Sequence, residues 1–541
     1  MSGERGSDGG LFSEFLEELQ AADEFFTRER DRLDYVDKSD PDIRRLIESV
    51  AFFSTRTRRL SSERFDRAFD GLARAWLDEL LTFQPSRAML QAQPGPRLTN
   101  ATVLPPGTAV RMAEPDGAVA RFTLMRALSI LPVTLTRCEV ELRGSYGSRV
   151  TLTLRARVPV TTPRQPLSIF LDYLCDYLSS VRFAHALRRN LERVSVTYDT
   201  DEPSAAKGYV GRPERPVDEP APHPIAAIRS FLHFPQQDLF LNVKLPERRR
   251  PWRTMQVHLD LNSDWPRSMT INRDVFHLFV VPVENLYPAA AAPVLCDITR
   301  TRYPVRPAED APDARVLHSV IAVYRHTKDG REPLMPRHLA TGTSFYEFDS
   351  AGAGQPELIV RLPESVVDPT VVAIDAHWFQ PGFDQQHGGG RIEASLQTRH
   401  LDGVNWSVIG GVRPHAGPGI ERNTFAILSL LSIRAKGFLS RADLVTIAKA
   451  LGASKDGYHG GLAEAITEVS AREDNVQAGG GTALRYLYRL TVREVAPEQR
   501  PLLIDLLIQL ERLLDAWSPH PVAVEIVTSS GGRVTTLQEL V

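Results

Sequence analysis

The stretch Ser39 to Leu60, SDPDIRRLIESVAFFSTRTRRL, commits the chain to a helix and then gives that helix two apolar sides. Asp40 can cap the first turn, Pro41 suits the first helical position, and Asp42 favours the positive end of the helix dipole. Ile43, Leu46, Ile47, Val50 and Phe53 recur at helical spacing and form one apolar stripe. With about 100° of rotation per residue, Phe52 leaves from nearly the opposite side, among Arg44, Arg45, Glu48, Arg56 and Arg59. The run before it, Leu11 to Leu33, places Phe12, Phe15, Leu19, Ala22 and Phe26 at coiled-coil-like spacing, with Phe25 beside Phe26. A third run carries Phe65, Phe69, Leu72, Trp76 and Leu80 on one side and ends by Pro85. Helices that are apolar on more than one face are usually surrounded by other helices. A three-helix segment over residues 11–84 has little of its own to surround them with. The segment is therefore expected to join helices of another chain, its arginine flank meeting acidic or aromatic groups.

The rest of the chain changes texture. After Pro85 come Pro-Gly turns and alternating segments, clearest in RVTLTLRARVPV, Arg149 to Val160, which reads as a half-buried strand. Leu167 to Leu191 reads as a return to helix, with Phe170, Leu174, Tyr177, Leu178 and Val181 on one face. Asp201 to Pro224, rich in proline, alanine and charge, reads as an exposed loop or linker. Short strands and turns follow, and the last 120 residues mix helices (441–451, 496–517) with strands (483–493, 522–528). The expected fold class is α+β and multidomain, since 541 residues exceed one ordinary core. The expected division is a flexible tail at 1–10, a helical partner-binding segment at 11–95 and a β-rich domain with a helix at 96–200. A linker at 201–224, a β-rich wing-like domain at 225–420 and a C-terminal α+β domain at 421–541 complete it.

Composition narrows the function. A net charge of −3 excludes a chain that is basic throughout and wraps nucleic acid. The basic residues are 57 Arg to 7 Lys, which fits a biased base composition and also suits interfaces, where the planar guanidinium pairs and stacks. Cys138, Cys175 and Cys296 are far apart and odd in number, so neither a disulfide framework nor a paired-cysteine metal site is expected. With no signal-peptide pattern at the start and no long apolar run, a soluble, cytoplasmic protein is expected.

The fragments that imitate catalytic motifs each lack a companion. HGGG, His387 to Gly390, is not joined by a G-x-S-x-G elbow, and the glycines at 479–481 lack the G-K-[ST] of a phosphate loop. No H-x-x-x-H or H-E-x-x-H occurs on an expected helix, and His233 and His277 read as packed or surface histidines. ERRRPW, Glu247 to Trp252, is the sharpest basic cluster, weighed as a nucleic-acid contact against a solvated turn or a protein contact. With no nucleophile, base and orienter in one pattern, an assembly protein is favoured over an enzyme such as a multidomain hydrolase, and no cofactor or metal is expected.

The order FLEELQAADEFF, DPDIRRLIESVAFFSTRTRRL, RFDRAFDGLARAWLDELL and QPSRAMLQAQP resembles the start of the TssF family (also VasA or ImpG), baseplate subunits of the type VI secretion system. FLHFPQQDLFLNVKL, VFHLFVVPVENLYP and TRTRYPVRP resemble its central segments, and ERNTFAILSLLSI and YRLTVREVAPEQR to VAVEIVTSS its C-terminal part. The resemblance implies a non-catalytic baseplate wedge protein, similar to one of phage T4. Two copies would join one TssG-like chain in a helical bundle and ring the spike hub beside TssE- and TssK-type proteins, docked at the inner membrane. Tube and sheath would nucleate there. An equivalent subunit of a phage-like or extracellular contractile machine is the alternative. On that basis Phe12, Phe15, Leu19, Phe26, Ile43, Leu46, Ile47, Val50, Phe52, Phe53, Arg56 and Arg59 would be partner contacts. The C-terminal domain would meet the second copy or the neighbouring wedge.

Overall fold

Asp40 starts the long N-terminal helix as its sequence requires. In the computed structural model of the chain, its Oδ1 accepts from the Asp42 amide at 2.9 Å, and its carbonyl accepts from Arg44 at 3.1 Å. The structure describes residues 5–28, 40–114, 117–144, 147–163, 165–215, 221–248, 250–297, 299–308, 315–349, 356–363, 369–381, 383, 392–397, 401–420, 424–453, 457–478, 481–528 and 534–536. The chain falls into two compact units, Met1–Asp78 with Glu421–Leu431, and Glu79–Ile420 with Ser432–Val541. The helices among the described residues are α1 (Arg5–Arg28), α2 (Pro41–Leu81), α3 (Tyr177–Asn190), α4 (Pro224–His233), α5 (Thr424–Arg434), α6 (Arg441–Leu451) and α7 (Arg500–Trp517). None is long and apolar enough to cross a membrane.

Two expectations for the front of the chain change. Residues 5–10, expected in a flexible tail, belong to α1, although Gly9 and Gly10 each cost about 1 kcal/mol against alanine within a helix. The second and third expected helices are one, because Ser61 and Ser62 are mild breakers and no proline interrupts. The backbone leaves helical values only at Leu77 (φ −133°, ψ 17°), where α2 kinks shortly before its end.

In the second unit the β structure is interleaved along the sequence. A closed six-stranded barrel runs Arg87–Pro94, Val280–Glu284, Val119–Leu124, Ala109–Ala113, Glu393–Leu396 and Val404–Arg413, each neighbour antiparallel, with the last strand back on the first. An eight-stranded sheet takes strands from Val133–Leu142 to Phe276–Leu278. In its middle, His258 sits between Thr151 and Thr197, 3.0 Å from each, and Arg149 grips both oxygens of Asp260 at 2.6 and 2.9 Å. A five-stranded and a three-stranded sheet, built from residues 287–379, share one core in which Trp378, Ile374 and Val323 lie with Leu358, Val360 and Tyr303. At the C-terminal end, Gly481–Val492 and Val522–Thr528 pair in parallel across α7. The antiparallel strand Ile466–Ala478 extends that sheet.

Several sequence expectations differ from this. The boundary at 201–224 is not one: Ser204–Val210 is a strand inside the eight-stranded sheet, while residues 216–220 lie outside the described residues. Its small, polar sequence SAAKGYV carries little β signal, yet Gly208 is required there, since a Cβ would meet the Val194 side chain at 2.5 Å. The barrel likewise draws strands from both expected β domains and from residues 87–94, so they are not successive domains. The helix expected from Leu167 begins only at Tyr177. Leu167–Leu171 is a strand between Phe240–Lys244 and Phe276–Leu278, and Leu174 (φ 58°) and Cys175 (φ 51°) turn the chain. A short apolar run such as LSIFL satisfies either period, and the waiting strand partners decide it. Asp176 then caps α3, accepting from the Ser179 amide at 2.8 Å.

Where α2 gives way to the barrel, buried polar side chains hold the backbone of residues 79–85. Arg229 on α4 donates to the Glu79 carbonyl, to Thr82 Oγ1 at 3.3 Å and to the Gly417 carbonyl at 3.1 Å. Arg87 donates to Glu284 at 3.2 and 3.3 Å and to Ser230 Oγ at 2.8 Å. His233 Nε2 lies 3.0 Å from the Pro85 carbonyl, and His318 Nε2 lies 2.9 Å from that of Phe83. A carbonyl only accepts, so both Nε2 atoms carry the proton.

Burial, with Arg87, Arg413 and Arg229 nearby, holds the pKa of His233 down to about 3 from an ordinary 6.5. Burial lowers that of His318 as well. As the pH falls below about 6.5, the unfolded chain takes up protons that the folded chain refuses, so stability falls with pH toward 3. For His233 alone this amounts to about 2 kcal/mol between neutral pH and pH 5. The urea midpoint at pH 5 is expected to lie below that at pH 7.5, and His233→Gln to narrow the gap. An unchanged gap in the variant would show that His233 does not set it.

Candidate partner-binding surface

α1 and α2 meet through a small set of groups. Glu18 on α1 accepts from Ser54 Oγ at 3.0 Å and from Arg58 at 2.7 Å. These contacts hold the Glu18 carboxyl below its usual range. Arg58 is largely exposed, so the ion pair fixes position more than it stabilises. The same side of α2 buries Ala51 and Thr55, both 2% exposed, and the Thr55 hydroxyl donates to the Ala51 carbonyl at 2.8 Å. The buried face of α2 near its N-terminal half is therefore made of small residues.

The large apolar residues lie elsewhere. Leu46 is 64% exposed, Val50 57%, Phe53 63% and Leu60 46%. At about 100° per residue these four fall within one narrow band, spaced 4, 3 and 7, with Thr57 filling the missing position. That is the spacing of a coiled-coil seam, open to solvent within this chain. Phe52, 44% exposed, lies off the seam, beyond Arg56 and Arg45 around the helix, and its ring meets that of Phe53 edge-on at 6.0 Å. Leu46, Val50 and Phe53 of the apolar stripe point outward, and smaller side chains take the inner place.

Of the other expected contact residues, Ile47, Phe15, Leu19 and Arg59 are partly buried and Arg56 is exposed. The side chains of Phe12, Phe26 and Ile43 lie outside the described residues. α1 also exposes Leu16 and Phe25. A further exposed pair was missed in the sequence: Phe425, 84% exposed, and Leu428 on α5. The signal was there, since TFAILSLLSIR is apolar on all sides and cannot bury every face of a single helix.

The motifs weighed for chemistry resolve differently. The HGGG residues 387–390 lie outside the described residues, as do Gly479 and Gly480, although the strands flanking the latter pair as a hairpin. In ERRRPW, Arg248 is bound to Asp199 at 3.2 Å and Asp201 at 3.0 Å and lies over Tyr198, while Trp252 is buried; Arg249 lies outside the described residues. The Arg248 charge serves the eight-stranded sheet. Among the described residues no group of three or more His, Cys, Asp or Glu could hold a metal ion.

Ala51 gives a direct test of the helix pair. Ala51→Glu puts a charge where 2% exposure leaves no water. It is expected to free α1, seen as faster proteolysis within residues 5–28, while the melting of the β structure stays as before. Unchanged proteolysis would mean that the Ala51 face does not hold α1.

The family described as "Type VI secretion system, TssF" matches residues 22–347. The fold is shared with a chain from the structure of the type VI secretion system TssK-TssF-TssG baseplate subcomplex. That likeness has a TM-score of 0.72 and 16% identity, covering 91% of this chain and 98% of that one. A chain of "the baseplate complex from the type VI secretion system" is similar at a TM-score of 0.59 and 16% identity, covering 96% and 97%. No curated protein sequence matches. With more than half its length matched, the chain belongs to the TssF family of type VI secretion system baseplate subunits.

Proposed function

We propose that this TssF-family chain is a wedge subunit whose helical unit joins a TssG-like partner through the open seam on α2. The observation that carries this reading is the solvent-exposed row Leu46, Val50, Phe53 and Leu60, with Phe52 and Arg56 beside it. These four side chains are already partly covered, so burying what remains exposed contributes roughly 3–7 kcal/mol before any cost. Association itself costs roughly 4–15 kcal/mol. The seam alone is therefore at best close to break-even, and Phe52, the arginine flank and α1 must add to it. That need fits a multi-helix bundle better than a simple pair.

In this reading two copies of the chain meet one TssG-like chain. The wedges, with TssK- and TssE-type proteins, close around the spike hub on the cytoplasmic side of the inner membrane. Residues 421–541 contact the second copy or the next wedge, and the assembled ring nucleates tube and sheath. The role is assembly without catalysis. Support for the partners comes from the TssK-TssF-TssG subcomplex whose chain shares this fold, and from membership of the family.

The test is the native mass of the tagged complex drawn gently from its own cells. Two copies of the 60.3 kDa chain with one smaller subunit are expected, alone or within larger wedges. Phe52→Asp with Phe53→Asp is expected to remove the partner and leave the circular dichroism of the β structure unchanged. A native monomer, or undiminished partner binding by the double variant, would overturn the reading.

A further inference from the structure

A cavity of about 290 Å³ opens beside the barrel, between the segment Met125–Leu131, residues Pro163 and Gln165–Ser168, and residues Arg212–Arg215. Its wall carries three arginines, Arg126, Arg212 and Arg215, against one acid, Glu214. Arg212 is committed elsewhere, donating to Gln237 Oε1 at 2.8 Å with Asp238 at 3.4 Å. Arg126 is different. Its guanidinium lies over the Phe240 ring, 4.2 Å from the centroid, and its Nη2 is buried with no hydrogen-bond partner. Asp238 attracts it through space but accepts no hydrogen bond from that nitrogen. Burial lowers its pKa to about 9, the mark of a cation short of a partner. Leu128, Leu131, Phe279 and Pro282 give the wall an apolar part, beside the uncharged polar Ser129, Gln165, Ser168 and Gln237.

We propose that this cavity is a binding site for a carboxylate carried on a short apolar stem. The carboxylate satisfies the open donor of Arg126, and the stem lies along the leucines. A guanidinium that lacks a partner inside protein is costly, and an oxyanion supplies the charge-assisted hydrogen bond it lacks. The volume lies at the small end of ligand pockets, enough for a small organic acid or for one acidic side chain of another subunit. Both sources present the same chemistry. The site depends on nothing in the bundle described above, and neither reading falls with the other.

The test uses hexanoate as probe and 1-hexanol as its uncharged counterpart, read by saturation-transfer NMR on the full-length chain. Hexanoate is expected to bind in the millimolar range or tighter and at least tenfold more tightly than hexanol, with Arg126→Met removing that advantage. Gln165, exposed at the mouth, provides a second variant that leaves the buried charge in place. Gln165→Trp is expected to block hexanoate even if Arg126→Met folds poorly. Repeating the titration on the chain bound in its complex separates the sources. Binding that persists there supports a free organic acid, and binding that is lost supports a partner's side chain. Equal affinity for hexanol and hexanoate, or hexanoate binding untouched by both variants, would overturn the proposal.

Discussion

Two buried guanidinium groups hold the place where the helical part of this chain becomes β structure. Arg229 takes the Glu79 carbonyl near the end of α2 and the Gly417 carbonyl in one fork, and Arg87, on the first barrel strand, is locked to Glu284 on the next. Each charge is out of water, so the arrangement is stable only while every donor has its acceptor. Removing one partner leaves a buried charge or carbonyl unmet, a larger loss than the net gain of the intact pair. The geometry around residues 79–87 is therefore set by many hydrogen bonds at once, including the neutral His233 and His318, rather than by apolar packing alone. It fixes where the first strand of the barrel begins, and the rest of the barrel is registered on that strand.

The helical unit works by the opposite rule. Among the described residues, Glu18 meets Ser54 and Arg58 across α1 and α2 and the small Ala51 and Thr55 are buried, while Leu46, Val50, Phe53 and Leu60 stand largely in solvent. Small residues at a helix contact let backbones approach closely and leave the bulky row free for another helix. A helix serving only its own chain would be arranged the other way round.

Much of this was legible in the sequence, because the signals were local. Asp40 and Pro41 gave the start of α2, the strict alternation of RVTLTLRARVPV gave its strand, and the family signature lay in contiguous motifs. The Phe52–Phe53 pair signalled exposed aromatics on α2, since two neighbouring aromatics cannot share one buried face of a helix. What the sequence hid was non-local. LSIFL became a strand because two others flank it, and SAAKGYV became one although only Tyr209 and Val210 at its end favour a strand. Which face of α2 turns inward was not legible, because hydrophobicity shows that a stripe must be covered, not by which chain. Arg126 carries no local signal either, for its unmet donor exists only once five separate segments have built the cavity around it.

The barrel also imposes an order in time. Its first strand ends at Pro94, and the strand that closes on it begins at Val404. During synthesis at roughly 5–20 residues per second, the earlier strand waits roughly 15–60 s for its closing partner to be made. Through that interval the barrel is an open sheet with unpaired edges, the form in which nascent β structure is most prone to wrong pairing. α2 leaves the ribosome before any of this, with its apolar row already exposed.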